Sequence, residues 1–180
     1  MQTIHGTAPS ANVRVTVDVA QVLEFEYANP VAFTIQPGTA VTSADLETSV
    51  STNNLKGYSL KVKAVNGTYG EGAESYTYTK APNLEYAAPG GTIYELPAIS
   101  GKVMPTTSSG WGIGCKVATG VTCAAGTGYM GLTTEYQTIV SRTGTADGAD
   151  AGLIIGAVAN AGQVAGTYRG LIQITAALNE

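Results

Sequence analysis

The fold of this 180-residue chain is decided by its closing stretch, which reads TYRGLIQITAAL at Thr167–Leu178. Apolar side chains recur there at every second position, and Arg169, Gln173 and Thr175 lie between them. Successive side chains of a β-strand point to opposite faces, so the alternation predicts a strand with one face on a core and the other in water. The apolar face consists of Tyr168, Ile172, Ile174, Ala176 and Leu178.

The opening of the chain has the same two-residue period over Val13–Tyr27. At about 3.3 Å per residue this stretch would reach about 50 Å, against about 20 Å for a typical strand. Part of it must therefore bend, pass into a second sheet or leave the domain. A bulge near Ala20-Gln21 is one device that carries a strand from one sheet into another.

The other alternative is that residues 12–20 leave the domain as a donor strand, which is a strand inserted into a neighbouring molecule. Backbone hydrogen bonds then supply affinity, and alternate side-chain pockets set the register. Residues 1–11 form an N-terminal extension before this strand. The inserted side chains would be Val13, Val15, Val17 and Val19.

Turn signals rich in Gly, Pro and Asn recur about every ten residues, as at Pro37-Gly38. This rhythm is typical of sandwiches and barrels. We predict an all-β fold, an Ig-like or jelly-roll-type antiparallel β-sandwich, with residues 12–180 as a single domain. The strand predicted at Tyr58–Val65 ends at Asn66-Gly67, a pair that favours a hairpin turn. The segment Thr42–Val50 alone has the character of a short helix.

The middle of the chain, residues 68–105, alternates poorly and is predicted to be an insertion with short hairpins. Tyrosine supplies a large contact area at low entropic cost, so the tyrosines there form a candidate ligand platform together with Trp111. The alternative is that they cover loop backbone and pack at the sheet margins, while Trp111 plugs one end of the sandwich. The platform tyrosines are Tyr69, Tyr76, Tyr78, Tyr86 and Tyr94.

The two cysteines, Cys115 and Cys123, bracket a short segment. A hairpin turn at Thr119-Gly120 would let the two sulfurs meet. We predict a disulfide, which implies export to an oxidising compartment. The alternative is two unconnected buried thiols.

Composition and charge argue against several classes of function. The net charge is −4 and charged residues make up 12% of the chain, so it offers no basic surface to nucleic acid. No run approaches the roughly 18 apolar residues that a membrane span needs. A surface with few charges is commoner in exported proteins. We predict an extracellular or cell-surface location, after removal of a signal peptide that is not present in this chain.

Catalytic residues in a recognisable pattern are missing from the sequence. The single histidine, His5, lies in the N-terminal extension, whereas a Ser-His-Asp triad needs a positioned base. Glu24 and Glu26 occupy alternate positions of a strand, as on an exposed face. Asp147 and Asp150 flank an Asp-Gly turn and match no calcium loop. We predict no enzymatic activity, no cofactor and no metal site.

Several short motifs resemble bacterial secreted cell-surface β-sandwich domains of the WxL-like, spore-coat-U-like and pilin-like kinds. They are the long opening strand, Pro37-Gly38, Ser51-Thr52-Asn53-Asn54 leading to Gly57-Tyr58-Ser59-Leu60, Trp111-Gly112 and Ala165-Gly166-Thr167-Tyr168. The resemblance covers the two ends and the centre of the chain and leaves the tyrosine-rich insertion unmatched. It implies a secreted structural or adhesive role without catalysis.

The predicted function is a structural subunit of an extracellular bacterial filament, pilus-like or fimbria-like, or of a surface layer. The subunit would form a homopolymer with copies of itself by β-strand complementation. The alternatives are a cell-surface adhesin or carbohydrate-binding module, whose partner would be a glycan or a host surface, and a virion structural protein.

Overall fold

The computed structural model describes residues 14, 16–27, 31–70, 75–116 and 118–180. The fold is all-β, and these residues form fourteen strands and no helix. The strands are β1 (Leu23–Tyr27), β2 (Thr42–Leu46), β3 (Thr48–Thr52), β4 (Tyr58–Val65), β5 (Gly67–Tyr69), β6 (Tyr76–Tyr78), β7 (Leu84–Ala87), β8 (Ile93–Leu96), β9 (Gly110–Cys115), β10 (Val121–Cys123), β11 (Gln137–Arg142), β12 (Ala146–Asp150), β13 (Leu153–Val158) and β14 (Leu171–Leu178).

Two three-stranded sheets meet at one bend, and together we call them sheet I. One has the strand order β1-β3-β12 and the other β2-β13-β9. The register is the same in both, because Leu46 lies opposite Leu153 and Ser49 lies opposite Asp150. Only Glu47 separates β2 from β3. The two ladders therefore form one bent sheet with β9 and β1 at its edges.

Sheet II is the four-stranded antiparallel sheet β10-β11-β4-β14. The closing strand β14 pairs with β4 along its whole length, from Leu171 opposite Val65 to Leu178 opposite Tyr58. The predicted alternation of β14 is confirmed between Ile172 and Ala176, because Ile172, Ile174 and Ala176 pack on the core while Gln173 and Thr175 are exposed.

The hydrophobic core lies between sheets I and II. Its largest fully buried side chains come from both sheets and from the insertion: Tyr58, Leu60, Leu96, Ile113, Ile139 and Leu153. Strand β9 is buried along its whole length, because its glycines let neighbouring segments approach closely. A Cβ on Gly112 would lie 2.7 Å from the carbonyl oxygen of Met130. Met130 in turn exchanges backbone hydrogen bonds of 2.7 and 2.9 Å with Ile113.

The predicted disulfide between Cys115 and Cys123 is confirmed, with Cα atoms 5.9 Å apart. The turn at Thr119-Gly120 is also present, and Val121 N donates to Ala118 O at 3.0 Å. The expected pairing of the flanking strands is wrong, because β9 belongs to sheet I and β10 to sheet II. The disulfide therefore joins the two sheets of the sandwich.

The insertion contains the short hairpins that the sequence predicts, β5-β6 and β7-β8. The hairpin turn predicted at Asn66-Gly67 is wrong, because the chain runs from β4 directly into β5. Gly67 is not among the glycines with positive φ that such a turn requires. The side-chain oxygen of Asn66 instead accepts a hydrogen bond from Ala81 N at 2.9 Å, which fixes β5 beside the next segment.

Two other predictions are corrected by strand pairing. The segment Thr42–Val50 is extended rather than helical, because β2 pairs with β13 and β3 pairs with β1 and β12. Tertiary pairing outweighs a weak local helix preference there. Asp147-Gly148 lies inside β12, where the register shifts between Ala146 and Ala149, and so forms a bulge rather than a turn between strands.

Candidate functional site

The single strand predicted over Val13–Tyr27 is shorter in the structure, where β1 covers only Leu23–Tyr27. We call residues 16–22 the arm, and they have no regular secondary structure. Val17 and Val19 of the arm are 78% and 82% exposed. Val13 and Val15 of the predicted donor strand lie outside the described residues. Two large apolar side chains of the arm are therefore left in water.

The arm joins β1 through the side chain of Asn53. Asn53 Nδ2 donates to Ala20 O at 2.7 Å, and Val22 N donates to Asn53 Oδ1 at 2.9 Å. Thr52 Oγ1 also donates to Val22 O at 2.7 Å. The Asn53 side chain thus makes the hydrogen bonds that backbone groups would make if the β1-β3 ladder continued beyond Leu23. The ladder ends at Leu23, close to Ala20-Gln21, where one of the two sequence alternatives places a bulge.

We call the hydrogen bonds of Asn53 to Ala20 and Val22 the Asn53 clamp, and they also fix where the arm leaves the sandwich. β1 runs away from this point, because Leu23 lies opposite Thr52 and Tyr27 lies opposite Thr48. The neighbouring Asn54 donates through Nδ2 to Asn179 O at 2.9 Å. The arm therefore leaves the sandwich at the end where β14 finishes.

One side of the sandwich lies between β1 and β14, which contact each other. Within the described part of the chain, no backbone ladder joins these two strands. We call this the open side. Its apolar side chains pack on the core yet remain only half-buried, whereas those of the neighbouring strand β4 are fully buried. They are Leu23, Phe25, Ile172, Ile174 and Ala176.

The opposite side of the sandwich is closed. The disulfide ties β9 to β10 there. The free edge of β9 is also covered, because Ile99 N donates to Trp111 O at 2.9 Å and Trp111 N donates to Pro97 O at 3.0 Å. Within the ranges that the structure describes, the two sheets are therefore joined at the β9 and β10 side and not at the β1 and β14 side.

The tyrosines of the insertion are dispersed in pairs and do not share one exposed surface with Trp111. Trp111 is 3% exposed and Tyr78 is 7% exposed, so neither belongs to a ligand platform. The ring nitrogen of Trp111 donates to Pro82 O at 3.1 Å, which anchors the insertion to β9. Tyr69 is 49% exposed, whereas Tyr76, Tyr86 and Tyr94 are half-buried.

Ring contacts account for most of these tyrosines. Tyr86 stacks on Tyr94 with ring centres 6.3 Å apart and also contacts Tyr168 at 5.7 Å. Tyr76 meets Tyr78 edge to face at 4.9 Å. The geometry agrees with the alternative in which the tyrosines pack at sheet margins and cover loop backbone.

A buried carboxylate, Glu85, organises the insertion and is not singled out by any sequence signal. It is 2% exposed. It accepts hydrogen bonds from Tyr76 Oη at 3.0 Å, Thr79 N at 2.8 Å and Lys80 N at 2.7 Å. Burial, and next the hydrogen bond to Glu85, raise the pKa of Tyr76. This network ties β6 to β7.

A groove of about 500 Å³ lies at the bend of sheet I. Glu26, Asp45 and Glu47 line it together with Lys116, whose Nζ lies 2.6 Å from Asp45 Oδ2. No group of three His, Cys, Asp or Glu residues in the described ranges is placed to hold a metal ion. Among the same residues there is no helix of the length and apolar character that crossing a membrane requires.

The arm, the Asn53 clamp and the open side are thus close together at one end and one side of the sandwich. No protein-family model matches this chain, and no curated protein matches it.

Proposed function

We propose that this protein is a structural subunit of an extracellular bacterial filament, pilus-like or fimbria-like, or of a surface layer. Subunits join by β-strand complementation, in which each copy donates its N-terminal segment to the next. The observation that carries the proposal is the exposure of Val17 and Val19 on an arm whose valines alternate with polar residues. That pattern matches a strand that becomes buried on one face only in an assembly.

The donated strand would contribute binding energy through its valine side chains. Burying one valine side chain stabilises by about 1.5 kcal/mol or more. The four alternating valines of the donor segment would therefore contribute about 6 kcal/mol, before any backbone hydrogen bonds form. A donor at one end of the molecule and an acceptor elsewhere make a head-to-tail contact, which repeats into a fibre unless the rotation closes a ring.

Two further features support a role outside the cell. The disulfide between Cys115 and Cys123 is a bond that persists in oxidising compartments. Charged residues make up only 12% of the chain, about half the usual fraction. A virion structural protein would share these features and assemble by the same contact. An adhesin or carbohydrate-binding module has less support, because the tyrosines and Trp111 do not form a shared exposed surface.

The experiment that tests the proposal compares two double variants of the arm. Val17→Asn with Val19→Asn removes the apolar face, whereas Thr16→Asn with Asp18→Asn changes only the polar face. Light scattering after size-exclusion chromatography gives the mass of each. We expect the native chain and the polar-face variant to form large assemblies and the valine variant to stay monomeric. Equal masses for both variants and the native chain would overturn the proposal.

A further inference from the structure

We infer that the free edge of β14 is the acceptor, and that residues 13–19 of a second copy pair with it and close the open side. This inference rests on the proposed function and names the surface that receives the donated strand.

Strand β14 has an unprotected edge. It pairs with β4 on one side only, and its eight residues, LIQITAAL, include no charge and no proline. Free edges of natural sheets are normally blunted by charges, prolines, bulges or covering segments, because a bare edge recruits other strands. Within the described residues, no backbone hydrogen bond reaches the other side of Leu171–Leu178. An edge of this kind is stable when another strand covers it.

The other sheet edges are blunted. β9 is covered by residues 97–99 and by Met130. β10 has only three residues. β1 carries Glu24 and Glu26. β2 carries Asp45, which is paired with Lys116. β12 carries Asp147 and has a register shift between Ala146 and Ala149. β14 is thus the long uncharged edge among the strands that the structure describes.

The donor segment fits this edge in length and in side-chain pattern. Seven residues span about 23 Å and the eight of β14 about 26 Å at about 3.3 Å per residue. On β14 the inward side chains are Ile172, Ile174 and Ala176, and they remain half-buried. The donor valines would lie beside them and complete their burial. The polar donor side chains would lie on the outer face with Gln173 and Thr175, which are exposed.

The direction of the arm favours a second copy over the arm's own β14. The hydrogen bonds of Asn53 fix Ala20 and Val22 at the end of the sandwich where β14 finishes. The arm would have to reverse direction there to lie along its own β14, and Val17 and Val19 are exposed instead. A neighbouring molecule placed beyond that end receives the arm without a reversal.

Photochemical cross-linking tests the acceptor directly. The full-length chain carries p-benzoylphenylalanine in place of Val17, an exposed position where the substitution leaves the core untouched. Unlabelled and nitrogen-15-labelled copies are mixed, assembled and illuminated, and trypsin then separates the peptides. Cleavage after Arg169 places the whole of β14 in peptide 170–180, and the probe lies in peptide 15–56. The control carries the same probe in place of Thr16, on the opposite face of the donor segment.

We expect the Val17 probe to link peptide 15–56 of one isotope to peptide 170–180 of the other, with several-fold fewer such links from the Thr16 probe. Links between copies that fall in another peptide would overturn β14 as the acceptor and leave strand donation standing. Links confined to one isotope, together with a monomeric mass, would overturn both the acceptor and the proposed function.

Discussion

At the scale of single residues, Asn53 decides where β1 begins and where the arm leaves the sandwich. Its amide group meets both a carbonyl and an amide of the arm, at Ala20 and Val22. The next pair of residues in a β-ladder would supply one N–H donor and one C=O acceptor. An amide side chain can replace that pair because it both donates and accepts a hydrogen bond. The clamp holds the root of the arm, while Val17 and Val19 before it are exposed.

Two substitutions of Asn53 distinguish the effects of its two hydrogen bonds to the arm. In Asn53→Asp the carboxylate still accepts from Val22 N but no longer donates to Ala20 O, and in Asn53→Ala both bonds are lost. We expect Asn53→Ala to lower the free energy of unfolding by about 1 kcal/mol. Amide hydrogen exchange is the sharper measurement, because Val22 N–H should exchange faster in Asn53→Ala and remain protected in Asn53→Asp. Equal protection of Val22 in all three proteins would show that the clamp does not hold the arm.

Tyr76 gives the insertion a dependence on alkaline pH. Its pKa is raised, first by burial and then by the hydrogen bond to Glu85. The folded state therefore favours the neutral phenol, and this stabilisation is fully present below pH 10, the ordinary value, and is lost as pH rises through the raised pKa. Tyr76→Phe should cost about 1 kcal/mol at neutral pH and should flatten the alkaline loss of stability.

Urea unfolding between neutral and alkaline pH measures this effect, with Tyr69→Phe as the control at an exposed tyrosine. The same steep alkaline loss in native protein and in Tyr76→Phe would contradict the assignment to Tyr76. The prediction concerns the stability of the insertion, so the arm variants should leave it unchanged.

At the scale of strands, local alternation predicts β4, β14 and the core face of each. This works because apolar side chains at alternate positions of these strands are more buried than the polar ones between them. The bend in sheet I escapes prediction, since it depends on the pairing of Leu46 with Leu153 and of Ser49 with Asp150, about a hundred residues away. The length of β1 escapes it for the same reason, because Asn53 lies far along the chain from Ala20. Asn66-Gly67 misleads because the local turn preference is outweighed by the pairing of β5 with β6.

The turn before β4 offers a test of one such long-range contact. Gly57 and Gly38 both have positive φ, of 82° and 77°. A Cβ on Gly57 would overlap the carbonyl of Arg142, whereas nothing lies near a Cβ on Gly38. Gly38→Ala should therefore cost about 1 kcal/mol, from backbone strain alone, and Gly57→Ala at least about 2 kcal/mol more. Similar unfolding midpoints in urea for the two variants would contradict the close approach.

At the scale of the whole molecule, the sandwich is tied at one side and open at the other. The Cys115–Cys123 bond joins sheets I and II beside β9, while β1 and β14 face each other without a shared ladder. The sequence predicts the cysteine pair and the closing strand that lie at these two sides. Their placement on opposite sides follows from strand order, which local patterns do not specify.

Removing the disulfide should weaken the closed side without affecting assembly through the open side. The bond closes a loop with a sequence separation of 8 residues, which corresponds to about 2.5 kcal/mol in the chain-entropy model. The double variant Cys115→Ala and Cys123→Ala should lose about that much stability in urea unfolding and should still assemble while it remains folded. A folded double variant that no longer assembles would mean that the closed side takes part in the contact.

Strand donation by the N-terminal segment can be tested by negative-stain electron microscopy of two proteins side by side. One is the full chain, and the other lacks Met1–Ala20. We expect filaments or ordered arrays from the full chain and none from the shortened chain. Monodisperse monomers from the full chain under all assembly conditions, together with an unfolded shortened chain, would show that the segment belongs to its own sandwich and that it is not donated.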